Sequence, residues 1–132
     1  MPADIQIDPL VHGNLKEEIV SHCELAIKKI KELRESFDRP LVPAELFEMS
    51  EFLHSFRAYL TSHILLAEAQ YRDRAEEFYT ELRKVNAADT RAKTTPEYRA
   101  WKYLSRVDML AEEQVLLVKK VFDRMGNEFR SY

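Results

Sequence analysis

Seven cations, Arg83, Lys84, Arg91, Lys93, Arg99, Lys102 and Arg106, stand between positions 83 and 106 against two acids, Asp89 and Glu97. Three aromatic residues, Tyr98, Trp101 and Tyr103, are interleaved with them, and Trp101 is the single tryptophan. Cations that track phosphates, with rings that stack on bases, are what a single-stranded nucleic-acid site requires. That chemistry is binding and breaks no bond. The same residues also suit a solvated helix end beside a core aromatic cluster, so both readings stand at the level of sequence.

The remaining reactive residues form weaker patterns. His22 and Cys23 are adjacent, so on a helix they point about 100° apart and do not readily share a metal. Glu18 and His22 share a face, but two ligands do not make a site. Glu51-x-x-His54 has the spacing used in carboxylate-bridged di-metal bundles, which need a second such motif and two further inward carboxylates. This chain holds no second copy. His63 falls near an apolar stripe and reads as a core or interface histidine. Glu76-Glu77 and Glu112-Glu113 read as solvated faces rather than as an acid–base pair tuned by burial. There is no P-loop, no glycine-rich dinucleotide turn, no nucleophile elbow and no Cys-x-x-Cys. The expectation is a protein that is not an enzyme, with no cofactor, no metal and no catalytic residue.

Helices must position the basic segment. The two glycines, Gly13 and Gly126, stand near the ends of the chain, and the prolines fall at 2, 9, 40, 43 and 96. Glycine and proline are the strongest breakers of regular structure. The uninterrupted stretches between them predict helices over 14–37, 44–86 and 96–126, following an N-terminal arm over 1–13. Asn14 with Glu17 fits the start of the first helix, and Pro40 its end. Pro43 fits the first turn of the second, and Thr95-Pro96-Glu97 opens the third as N-cap, first-turn proline and first-turn acid. Gly126-Asn127 predicts the C-terminal stop, although Phe129 continues the stripe. Residues 87–94 read as a polar hinge.

The second stripe runs Leu46, Met49, Leu53, Phe56, Leu60, Ile64, Ala67, Tyr71, Ala75, Phe78, Leu82 and Val85, at spacings of three or four throughout. Unbroken, that helix would be roughly 65 Å long, whereas a compact domain of this size has a radius of gyration of about 14 Å. Short connections make the helices antiparallel neighbours. The first helix should then cover the start of the second, and the third should cover its end. Exposed apolar seams of this kind mark interaction surfaces. The fold expected is all-α, three helices with a long central one, forming an extended bundle that oligomerises. Leu46, Met49, Leu53, Tyr71, Phe78 and Leu82 are its candidate interface. A kink near Thr61-Ser62 is the compact alternative.

Composition sets the outer bounds. The chain has 132 residues with 45% hydrophobic and 33% charged content, which suits one folded, soluble domain. Its net charge of −3 hides the asymmetry of the basic segment, which carries +5 and leaves −8 for the rest. The lone cysteine suits a reducing compartment. No apolar h-region precedes residue 13, and no stretch approaches the roughly 20 apolar residues of a membrane span. The expected location is the cytoplasm, away from membranes.

From about Leu66 to the C-terminus, roughly half the chain, short motifs follow one another in a comparable layout. Glu68-Ala69-Gln70 opens the later part of the long helix, Phe78-Tyr79 and a polar hinge follow, and the last helix ends in Gly126-Asn127-Glu128-Phe129. This layout resembles the phage recombination mediators of the UvsY type. The resemblance implies a helical homo-oligomer that binds single-stranded DNA. It also implies as partners a recombinase and the single-strand-binding protein that coats the strand. The family's DNA-contacting cations follow the equivalent of Glu68-Ala69-Gln70, which implies Arg72 and Arg74 here, although Glu76 and Glu77 come next. The rival expectation is a helical protein-interaction module, an adaptor, inhibitor or assembly factor, whose apolar stripe docks a partner and whose basic segment has no nucleic-acid role.

Overall fold

The computed structural model describes residues 15–130, with side chains as far as Gly126. The expected arm over 1–13 and the Asn14 cap lie outside the described residues. Among the described residues there are four helices and no strand: α1 (Glu17–Ser36), α2 (Pro43–Leu82), α3 (Val85–Ala92) and α4 (Pro96–Arg130).

Helix α1 buries Ile19, Cys23, Ala26 and Ile30, a stripe at spacings of three and four. The Ser36 hydroxyl donates to the Leu33 carbonyl at 2.6 Å as the helix ends. Arg39 then reaches across the turn to Glu45 in the first turn of α2, at 2.6 Å. Its hydrogen bond holds the Glu45 carboxyl below its ordinary range. Pro43 opens α2 as expected, its missing N–H costing nothing there.

Helix α2 runs unbroken for 40 residues, about 60 Å at 1.5 Å per residue. No break occurs at Thr61-Ser62, where the Thr61 hydroxyl donates to the Arg57 carbonyl at 2.9 Å within the helix. The helix ends before the expected position 86, because Arg83 turns into the left-handed region at φ 57°. The Arg83 N–H donates to the Tyr79 carbonyl at 2.8 Å and closes the last turn.

The expected hinge is itself a helix, α3. Its Ala88 and Ala92 are buried, small enough to let the short helix fold closely back onto the end of α2. Thr95 then caps α4. The Tyr98 N–H donates to the Thr95 hydroxyl at 3.3 Å, and that hydroxyl donates to the Ala92 carbonyl at 2.6 Å. At its far end α4 passes straight through Gly126-Asn127 to Arg130, so no stop forms there. One glycine lowers helix propensity by about 1 kcal/mol, too little to end 35 residues of helix.

The starting point of α4 changes the packing expected from sequence: α3 folds back on the end of α2, so α4 begins level with Arg74. Arg74 faces Glu97, Tyr71 stacks on Trp101, Arg57 pairs with Asp108 and Phe47 meets Phe122. Helix α4 therefore lies antiparallel along nearly all of α2, rather than along its end alone. Helix α1 lies beside the first half of α2 and the middle of α4, with His22 against Tyr59, Lys29 over the Phe52 ring and Arg34 near Glu113. The result is a three-helix core that tapers to a two-helix arm, with α3 folded on the arm's tip.

That core holds Ile30, Leu46, Leu53, Leu60, Leu104, Val107 and Leu110, all fully buried. It also holds polar groups. Gln114 is fully buried, and neither its amide oxygen nor its nitrogen has a hydrogen-bond partner; the Tyr103 hydroxyl has none either. Burial pushes the Tyr103 phenol up and, together with the nearby charge of Glu24, pushes the Cys23 thiol up to about 12.

Candidate nucleic-acid interface

Four of the basic residues gather at the tip of the arm, where α2 turns into α3: Arg83 and Lys84 form the turn itself, Arg91 lies on α3 and Lys93 follows it, and all four are exposed. Arg106 is exposed too, but it lies about 15 Å along α4 from its start, near the level of the Arg57–Asp108 pair. A shallow depression beside the four is lined by Leu82, Asn86, Ala87, Thr90, Arg91 and Thr94.

Several of the cations already face acids. Arg72 binds Glu68 at 2.7 Å, one helical turn away. Arg74 binds Glu77 at 2.5 Å and approaches Glu97 at 3.8 Å. Arg91 lies 3.9 Å from Glu81. Arg74 and Arg91 also lie over the Phe78 ring, at 4.7 and 5.6 Å from its centre. These exposed pairs are worth at most about 1 kcal/mol each and give way to a stronger anion.

The aromatic residues divide. Tyr71, Tyr98 and Trp101 form a half-buried cluster, with Tyr71 stacked on Trp101 at 5.2 Å between centroids and 17° between planes. The Lys102 ammonium lies 5.0 Å from the Trp101 centroid and 5.6 Å from that of Tyr98. One face of the indole is therefore taken by Tyr71. Tyr103 is buried in the bundle core and is not presented to a base, contrary to the expectation for it. Arg99 is half-buried near the start of α4.

The six residues expected at an oligomer seam are engaged within the chain. Leu46, Met49 and Leu53 are buried in the three-helix core. Tyr71 joins the aromatic cluster, Phe78 is covered by two arginines, and Leu82 lines the depression beside α3. The reason is that α4 starts level with Arg74 and so reaches Phe47 by Phe122, closing with α1 a seam that was expected to stay open. The large apolar side chains that do face outward on α2 are Phe47, Leu65, Leu66 and Tyr79. All four sit one place off the stripe, and that offset is the signal in the sequence that marks them.

Two further contacts escaped the sequence. Arg57 grips Asp108 through two hydrogen bonds, at 2.9 and 3.3 Å, and ties the middle of α2 to α4. Tyr59 lies 4.8 Å from His22 on one side and 4.8 Å from His63 on the other. His63 is thus half-buried in an aromatic row, while Glu51 and His54 face outward. Among the described residues no three His, Cys, Asp or Glu side chains gather to hold a metal ion. Nor is any described helix long and apolar enough to cross a membrane.

No protein-family model matches the chain, and neither does any curated protein or any solved structure.

Proposed function

We propose that this chain is a non-enzymatic binding protein whose arm tip contacts the phosphate backbone of single-stranded DNA, in the service of recombination or replication. The observation that carries the reading is the exposed group Arg83, Lys84 and Lys93 around the left-handed turn and α3. Phosphates attract such cations by releasing condensed counterions, and no base-specific contact is needed. The backbone of Arg83 adds support. A left-handed non-glycine residue costs about 1–2 kcal/mol, and strain of that kind tends to gather at functional sites.

Within this reading, Arg83, Lys84 and Lys93 neutralise phosphates. Arg72, Arg74, Arg91, Arg99 and Arg106 add positive potential from the sides. Trp101 and Tyr98 take part in stacking only after Lys102 swings off their rings, so base stacking ranks below charge. Self-association would repeat a weak patch and raise avidity without any new contact. The involvement of a recombinase or a single-strand-binding protein rests on the UvsY-type resemblance alone.

The experiment is charge reversal at exposed positions. Lys84→Glu with Lys93→Glu should weaken binding of a labelled single-stranded oligonucleotide at least tenfold, with helix content by circular dichroism unchanged. Unchanged affinity would reject the arm tip as the contact. The second reading, a protein-interaction module, is favoured by a different observation: the outward Phe47, Leu65 and Leu66. It predicts that the same double variant loses no function.

A further inference from the structure

Tyr103, Val107, Leu110 and Gln114 recur on α4 at spacings of four, three and four, so they form one stripe. That stripe faces α1. Burial, and then Cys23 and Glu24 of α1, push the Tyr103 phenol up, and Arg34 of α1 reaches Glu113 beside Gln114 at 3.5 Å. The side of α4 that meets α2 is a different one, carrying Trp101, Asp108 and Phe122.

The contact between α1 and this stripe leaves polar groups without partners. Gln114 is fully buried and Tyr103 is 5% exposed. Among the described residues, neither the Gln114 amide nor the Tyr103 hydroxyl has a hydrogen-bond partner. Helix α1 buries Ile19, Val20, Cys23, Ala26 and Ile30, none of which offers a strong donor or acceptor. A buried group left unpaired is at a disadvantage to the same group in water. Withdrawal of α1 would wet both.

The polar ties of α1 lie at its margins. Arg34 and Glu113 pair through side chains 31% and 44% exposed, and the Lys29 ammonium lies 4.1 Å from the Phe52 ring centre. Contacts of that kind add little. The α2–α4 pair, by contrast, has ties in which α1 takes no part. Arg57 grips Asp108 twice, Tyr71 stacks on Trp101, and Phe47 meets Phe122 edge-on. Helix α1 is the first described element and joins the others through residues 37–42, so it can leave without threading past them.

We infer that α1 is a strap that opens as a unit from an α2–α4 pair that stays folded. Segments of one fold open at less cost than global unfolding, and the unpaired groups under α1 single it out as that segment. The inference is independent of the nucleic-acid reading, since α1 carries none of the arm-tip cations.

Cys23 reports the opening, because it is the only cysteine and is fully buried while α1 is closed. In the full chain at about pH 8 without denaturant, an aromatic disulfide reagent should label Cys23 at least about tenfold faster than the global stability from urea unfolding allows. Gln114→Met and Tyr103→Phe each remove an unpaired group and should slow the labelling at least about fivefold. Tyr71→Ala removes a contact of the α2–α4 pair alone, so it should lower urea stability and leave the labelling rate unchanged. Labelling no faster than global unfolding allows, a rate that rises in step with the stability lost in Tyr71→Ala, or a rate indifferent to both core variants would each overturn the inference.

Discussion

Arg83 does two things at once. Its backbone breaks the run of helix at φ 57°, and its side chain sits among the exposed cations of the arm tip. The two roles separate on substitution. Arg83→Gly should raise stability in urea by about 1 kcal/mol, because glycine adopts the left-handed region without the Cβ penalty, while it weakens single-stranded DNA binding. A fall in stability would mean that the arginine side chain holds the turn. Cys23 gives a second residue-scale prediction. Burial raises its thiol from an ordinary 9.0 to about 12. Between those values the unfolded chain loses the proton while the folded chain keeps it. Stability therefore falls as pH rises through that window, by up to about 1.4 kcal/mol per pH unit. The stability curve of Cys23→Ala between pH 8 and 10.5 should be flatter than that of the unaltered chain; equal slopes would contradict the burial of the thiol. Much at this scale was legible. Thr95-Pro96 read correctly as a cap, because cap chemistry is local. The break at Arg83 was not, since a left-handed residue other than glycine leaves no mark in composition.

Among the elements, the helices were legible and their partners were not. The periodicity of α1, α2 and α4 names the buried face of each, and Ile30, Leu53 and Leu104 lie where that periodicity puts them. Periodicity does not say which helix covers which face. A stripe that α4 would cover and one that a second copy would cover look alike, so Leu46, Met49 and Leu53 read as an interface and belong to the core. Helix α3 was hidden for another reason: an eight-residue helix has marginal stability alone, and its buried Ala88 and Ala92 carry almost no hydrophobic signal. The bundle also holds a cost that sequence did not disclose, the unpartnered Gln114. Gln114→Met keeps the volume and removes the buried amide, so it should stabilise the fold by about 1–3 kcal/mol. Thermal and urea denaturation would check this. A destabilised variant would show that the amide is satisfied in solution.

For the molecule as a whole, length and charge are arranged along one axis. The three-helix end packs the core, the two-helix arm carries the half-buried cluster of Tyr71, Tyr98 and Trp101, and the tip carries the exposed cations. The charge asymmetry was visible in sequence, and so was the reach of the long helix. Glu68–Arg72 and Arg74–Glu77 are one-turn pairs that helical spacing already offers. What could not be seen was that Glu97 and Glu81 come back against Arg74 and Arg91, leaving a smaller set of open cations than the count suggests. That smaller set makes the central claim quantitative. The measurement is anisotropy of a labelled single-stranded oligonucleotide titrated with the full chain across a salt series. Each phosphate neutralised contributes about −0.7 to the slope of log affinity against log salt, so the three open cations Arg83, Lys84 and Lys93 predict a slope near −2. A slope of that size would support the arm tip as a phosphate contact. A flat slope, or no binding in about 50 mM salt, where the electrostatic term is strong, would contradict it.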